Sequence, residues 1–195
     1  MKKLVAAMLC LALSLMCAVG LANEKIDPSE LQIGVIMIGD TSDMGFNYSH
    51  LVGLQEMQKN LGIEDHQITI LENVADDSTC ADAISELISN GCNVIIGNSF
   101  GFQTYMYEAA AQHPEVLFCH YSGLLQNDTN FCRFNARNYQ TRYLQGIAAA
   151  MRSESGKIGF VGAFKNAEVN VSLNAYALGA QSVNPDVTVY VKYTN

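Results

Sequence analysis

Positive charge is what this chain has least of: 11 Lys and Arg stand against 19 Asp and Glu, a net charge of −8 over 195 residues. A protein that grips phosphate backbones needs a basic stripe, and none is present, which argues against a nucleic-acid partner. Long apolar runs are equally scarce. Beyond the first 22 residues no stretch approaches the ~20 residues that a membrane-spanning helix requires. The loop motifs of several enzyme classes are missing too, with no Gly-x-Gly-x-x-Gly dinucleotide loop, no Walker phosphate loop and no Gly-x-Ser-x-Gly elbow. No Cys-x-x-Cys pair occurs, so neither a zinc site nor a thiol-exchange motif is indicated.

What is present begins with an export pattern. Lys2 and Lys3 precede an apolar run from Leu4 to Met16, and Gly20 and Ala22 place small residues before a cleavage point. Residues 1–22 therefore read as a signal peptide, and the mature chain as exported, periplasmic or at the cell surface. Cys17 leaves a second possibility, a lipid anchor to the plasma membrane, although the bulky Met16 before it suits a lipoprotein signal poorly. Four cysteines remain after the signal: Cys80, Cys92, Cys119 and Cys132. An exported location permits disulfides. Cys119 and Cys132 fall in consecutive strand-like segments and could pair if those strands are neighbours, while four buried thiols fit the pattern equally.

From residue 31 onward the chain alternates strands and helices. Residues 31–39 form a nearly continuous apolar strand, as expected when both faces of a parallel sheet are covered. A helix-period segment at 46–61 ends at Gly62, and strands follow at 67–71 and 93–97 with a helix between them, capped by Asp77 or Ser78 and closed by Asn90 and Gly91. A further helix runs to about residue 112, then a strand at 115–120, a polar loop at 124–130, a strand-like segment at 131–134 and a helix at 138–151. A last strand, helix and strand occupy 157–193. Parallel strands joined by right-handed crossovers put all their carboxyl ends on one edge, where small molecules bind. Residues 30–152 suffice for one α/β lobe. Residues 153–195 supply two strands and a helix, too little for an independent core, and read as the start of a second lobe.

The stretch at 39–47 holds the first of these strand ends. Asp40, Ser42 and Asp43 offer polar partners, and Phe46 offers a flat face beside the amide of Asn47. Two readings stand together: a ligand loop, or a helix entrance in which Ser42 or Asp43 caps, the glycines turn the chain and Phe46 starts the core. Ser99 and Phe100 sit after the third strand, and His120 to Gly123 after the fourth. A lone histidine such as His120 is more often structural than catalytic. Asp40 and Asp43 fall short of the oxygen ligands that a hard metal needs. Aromatic faces with polar groups and no nucleophile favour reversible binding over turnover, with no metal and no cofactor.

Taken in order, Asp43, Gly45, Phe46 and Asn47; Glu72, Asn73 and Val74; residues 98–102; Arg133 to Asn135 with Arg142 to Gly146; Gly159 to Gly162 with Glu168 and Val169; and Leu178 to Pro185 resemble the basic membrane protein family. These are purine-nucleoside-receptor-like substrate-binding proteins of ABC transporters. The resemblance implies an α/β, type I periplasmic-binding-protein-like fold: a flavodoxin-like parallel-sheet first lobe plus a second α/β lobe, incomplete here. It implies a purine nucleoside held between the lobes and passed to a membrane permease with its ATPase. Phe46 would stack on the base and Asn47 bind its polar edge. Asp40, Asp43, Ser99 and Phe100 would complete the first wall, and Gly162 and Glu168 would begin the second. The chain departs from the pattern at Lys165 to Ala167 and Val171, where the receptors carry a Pro-x-Pro run and a basic residue. Alternatives are a ligand-binding sensor or regulator on the same scaffold, an exported nucleoside-processing enzyme, and a truncated chain with impaired binding.

Overall fold

The computed structural model describes residues 26–194. The proposed signal peptide and Cys17 lie outside the described residues. Up to Leu31 the described part is one 3-10 turn, Pro28–Glu30, with the Asp27 carboxylate accepting from the backbone N–H of Ser29 at 2.9 Å. From Gln32 onward the chain forms a separate unit.

That unit is built on five short strands: β1 (Ile33–Ile36), β2 (Ile68–Leu71), β3 (Val94–Gly97), β4 (Leu117–Tyr121) and β5 (Phe131–Phe134). They form one parallel sheet in the order β2-β1-β3-β4-β5. Helices α1 (Phe46–Leu61), α2 (Ser78–Ser89) and α3 (Gln103–Gln112) supply the first three crossovers. Each has a local reason to start or stop. Asp77 caps α2 by accepting from the Thr79 N–H at 2.9 Å, and Gly62 ends α1 at φ 69°, a left-handed conformation that suits glycine.

The sheet is covered on both faces, which is why β1 is apolar throughout and buried at every position. Side chains alternate across a strand. Ile36, Ile95, Phe118 and Phe131 face one way and pack with Ile84 and Leu87 of α2 and Met106 of α3. A Cβ on Gly34 would lie 2.7 Å from Leu87, so α2 sits as close as glycine allows. Ile33 and Val35 face the other way, where Leu54 of α1 lies near Ile68 and Ile70.

The β4-to-β5 connection departs from expectation, because residues 122–130 make a parallel crossover without a helix. Such crossovers ordinarily take a dozen residues or more. Two asparagines carry this one. Asn127 Oδ1 accepts from the backbone N–H groups of Thr129, Asn130 and Phe131, while Asn130 Nδ2 donates to the carbonyls of Ala110, His113 and Val116, each at 2.9 Å. Internal side chains thus satisfy a turn that secondary structure would otherwise have to satisfy.

A second, two-stranded parallel sheet contains β6 (Lys157–Gly162) and β7 (Thr188–Tyr193), joined by α5 (Ala167–Gln181). Helix α4 (Asn138–Arg152) packs on α5 at a crossing where two glycines remove the side chains. A Cβ on Gly146 would stand 2.0 Å from the Tyr176 carbonyl oxygen, and one on Gly179 would stand 2.0 Å from that of Tyr143. Ala150 of α4 shares a small core with Ala180, Val187 and Ile158. By packing, α4 goes with the second sheet, whereas the sequence division at 152 counts it with the first. Among the described residues no helix is long and apolar enough to cross a membrane, and no cluster of three or more His, Cys, Asp or Glu is placed to hold a metal ion.

Candidate functional site

The strand order reverses direction between β1 and β3, and in open α/β sheets the crevice at such a point receives ligands. The loops after β1 and β3 meet there through buried amides. Asn98 Oδ1 accepts from the Ile38 N–H at 2.9 Å, and Asn98 Nδ2 donates to Asn47 Oδ1 at 2.8 Å. Asn47 Oδ1 also accepts from the Gly39 N–H at 3.4 Å, and its Nδ2 donates to Asp43 at 3.0 Å. The carboxylate of Asp43 accepts from the backbone N–H groups of Gly45, Asn47 and Tyr48. These donors, Gly45 first, hold its pKa at about 2. Asp40 accepts from the N–H and hydroxyl of Ser42, and Glu72 accepts from Thr41 N and Oγ1 at 3.0 and 2.7 Å.

Most of the polar groups at 39–47 therefore spend their hydrogen bonds on the loop itself. Asn47 is 6% exposed and uses three of the four bonding positions of an amide internally. Phe46 differs. It is 43% exposed and meets His50 and Tyr121 edge-on, with centroids at 4.8 and 5.9 Å. Tyr121 in turn meets Phe134 at 5.6 Å, so a cluster of rings runs from the first loop to the end of β5. Burial lowers the His50 pKa and favours its neutral ring.

Ser99, Asp76 and His120 come together behind the second loop in an arrangement unlike a nucleophilic triad. The Ser99 hydroxyl donates to Asp76 at 3.0 Å, and His120 Nε2 lies 2.7 Å from the Ser99 carbonyl oxygen. A carbonyl only accepts, so Nε2 carries the proton and the ring has no access to the hydroxyl by that nitrogen. His120 is fully buried, burial lowers its pKa, and burial raises that of Asp76.

A cleft of about 180 Å³ lies beside these loops. Ser122, Arg133 and Asn135 line it from the β4 and β5 ends, Asn138 and Tyr139 from the start of α4, and Glu168 from the start of α5. The Ser122 hydroxyl donates to Glu168 at 2.8 Å, and Asn138 Nδ2 donates to the Tyr121 hydroxyl at 2.9 Å, so the edge of the first sheet and the starts of α4 and α5 contribute to one concavity. Arg133 donates to the Gly123 carbonyl and to Gln126, each at 3.3 Å. Burial, with Glu168 nearby, pushes the Tyr121 phenol up. Ser122 sits at φ 71°, a conformation that costs a non-glycine residue of order 1–3 kcal/mol and tends to accompany binding sites.

Of the residues singled out from sequence, Phe100 and Glu168 line this cleft. Asp40, Asp43, Asn47 and Ser99 lie in the loop framework just described. Phe46 belongs to the ring cluster, and Gly162 ends β6, where a Cβ would lie 2.9 Å from Val169 and 3.0 Å from Tyr193. Ser122, Arg133, Asn138 and Tyr139 received no contact assignment from sequence. Their signal was available in part, since Ser122 and Arg133 fall at strand carboxyl ends on the edge that the alternating pattern defines.

A parallel sheet carrying a cleft at its carboxyl edge, bordered by helices α4 and α5 of a second, smaller sheet, defines a periplasmic-binding-protein-like α/β fold. The fold matches an ABC transporter solute-binding protein from Aeropyrum pernix K1 with a TM-score of 0.73 at 19% identity, over 85% of this chain and 48% of that one. Residues 30–195 match the profile of the family described as ABC transporter substrate-binding protein PnrA-like (Bmp), and the chain belongs to that family. It is 37% identical over 174 residues to a purine-binding protein of Brucella abortus (strain 2308), covering 89% of this chain and 48% of that protein. It is 35% identical over 161 residues to a putative ABC transporter glucose-binding protein of Haloferax volcanii, covering 82% and 40% respectively. The chain spans about half the length of these relatives.

Proposed function

We propose that this chain supplies one wall, and the opening of the other, of an extracytoplasmic substrate-binding protein that takes a purine nucleoside for an ABC importer. The observation that carries the reading is the shared cleft, in which Ser122 and Arg133 from the first sheet meet Glu168 from the start of α5. Carboxylate, guanidinium and hydroxyl together suit a neutral ligand rich in both donors and acceptors. The exposed face of Phe46 supports a flat heterocycle, and base stacking on an aromatic ring contributes ~1–3 kcal/mol without selecting the base. The relative named as purine-binding points the same way. The protein acts by reversible binding, handing its ligand to a permease energised by a separate ATPase.

At about 180 Å³ the cleft is smaller than the ~300–1,000 Å³ that encloses a ligand of this size. Binding by these 195 residues is therefore expected to be weak. Ligand-observed NMR and calorimetry with inosine, adenosine, guanosine and glucose test the proposal. Nucleosides should bind above the micromolar range and lose contact in Phe46→Ala and Glu168→Gln. Preference for glucose would overturn the nucleoside reading, as the Haloferax relative's name makes worth checking. Sub-micromolar affinity would overturn the incomplete-cleft reading, and release of free base would overturn reversible binding.

A further inference from the structure

Cys119 of β4 and Cys132 of β5 stand directly opposite each other in the parallel register. Phe118, His120 and Phe131 are buried against one face of the sheet, so alternation sends both cysteines out of the other. Both are free thiols, with sulfurs 3.5 Å apart. Neighbouring strands run ~4.8 Å apart, inside the ~4.4–6.8 Å Cα separation that a disulfide spans. Closing the remaining gap asks for side-chain rotation and leaves the strands where they are.

We propose that Cys119 and Cys132 form an intrachain disulfide that staples β5 to β4, made by exchange with a disulfide compound as oxidant. The two thiols have different parts in it. Cys132 is exposed and Cys119 half-buried, and burial together with Cys132 beside it pushes the Cys119 thiol up to about 12. The first attack accordingly belongs to Cys132. Its thiolate bonds to one oxidant sulfur and expels the other as a thiolate, leaving a mixed disulfide. Cys119 then gives its proton to water and attacks Cys132 Sγ, expelling the second oxidant thiolate. Two electrons pass to the oxidant, which leaves as two thiols, and the protein loses two hydrogens.

The staple secures an edge that matters to the cleft. Among the described residues β5 has β4 as its only neighbour in the sheet, pairs with it over four residues, and leads from Arg133 to Asn135, both in the lining of the cleft. The chemistry is a property of these two strands. Its occurrence in the cell rests on the exported location proposed above.

The purified chain is incubated with oxidised glutathione, unfolded in an alkylating reagent and mapped by peptide mass spectrometry, with nucleoside binding measured on a separate sample. A linked Cys119–Cys132 peptide pair, two hydrogens lighter than the thiol forms, is expected, with Cys80 and Cys92 alkylated. C119S should stop at a glutathione adduct on Cys132, and C132S should carry no adduct on Cys119. Oxidation should raise the thermal midpoint of the unsubstituted chain and leave that of the C119S/C132S double variant unmoved. Full alkylation of Cys119 and Cys132 after oxidation, or linkage of either to Cys80 or Cys92, would overturn the staple. An adduct on Cys119 in C132S would overturn the order of attack. Loss of nucleoside binding alone, with the linked pair present, would count against the binding reading and leave the staple standing.

Discussion

The two sheets solve the same packing problem to different depths. The first sandwiches five strands between helices and fills one side with Phe102, Phe118, Phe131, Ile84, Leu87 and Met106, all under 2% exposed. The second brings α4 and α5 together through glycines and closes around Ala150, Ala180, Val187 and Ile158. Outside that small core, Val161, Tyr190, Leu178 and Met151 are between 58% and 72% exposed. Stability scales with the apolar surface withdrawn from water, so the first sheet must carry most of the folding free energy. The loops contrast in the opposite sense. Residues 39–47 satisfy their polar groups within the first unit's own loops, through one another and through Glu72 and Asn98, whereas Glu168 reaches across to Ser122 and lines the cleft. The well-packed sheet holds a preformed wall, and the thinly packed part presents a carboxylate to the cleft beside it.

Several substitutions can break this contrast. Phe118→Ala should cost the most, about 3–5 kcal/mol by urea denaturation, because it removes a fully buried ring. Val187→Ala should cost less, and an equal loss at both sites would erase the difference in depth. Next comes Gly146→Ala, where a methyl group meets the Tyr176 carbonyl. An effect of about 1–3 kcal/mol is expected from such overpacking, with hydrogen exchange accelerating across α4, α5, β6 and β7 and unchanged in β1 and β3. Acceleration throughout would mean that the two sheets unfold as one.

Asn98→Ala tests the first wall. It strips partners from the Ile38 N–H and from Asn47, at about 1–3 kcal/mol for buried groups left unsatisfied, and it should weaken nucleoside binding through the displaced loop. Ser122→Ala removes a single bond, from a hydroxyl to a carboxylate, at about 1.5–3 kcal/mol, and its signature should be faster exchange at the start of α5. The smallest effect is titration of Asp43. Its folded pKa of about 2 lies below the ordinary 3.8, so its contribution is complete above the ordinary value and fades as pH falls through the folded one. Urea midpoints taken down that range should decline less steeply in Asp43→Asn than in the parent chain.

Much of the fold was legible because its signals are local. The apolar run of β1, the 3.6-residue spacing of α1, the Asp77 cap and the Gly62 stop act through neighbours a few residues away, and each element stands close to its expected place. The carboxyl edge followed from alternation alone. The site was less legible. Asp43 had been open to a cap or a ligand role, and its three backbone donors show it building the entrance to α1. Asn47 is tied to Asn98, 51 residues away, a pairing that no local pattern announces.

By itself, then, the sequence determined the order of strands and helices and the edge at which their loops gather, because periodicity, caps and turns are short-range physics; the family followed from residue-by-residue likeness over residues 30–195. Only the tertiary structure decided the groups that share an environment: α4 with the second core, Ser122 with Glu168, and Cys119 beside Cys132. Those pairings depend on strand register and helix crossing, which arise when distant segments compete for the same buried surface.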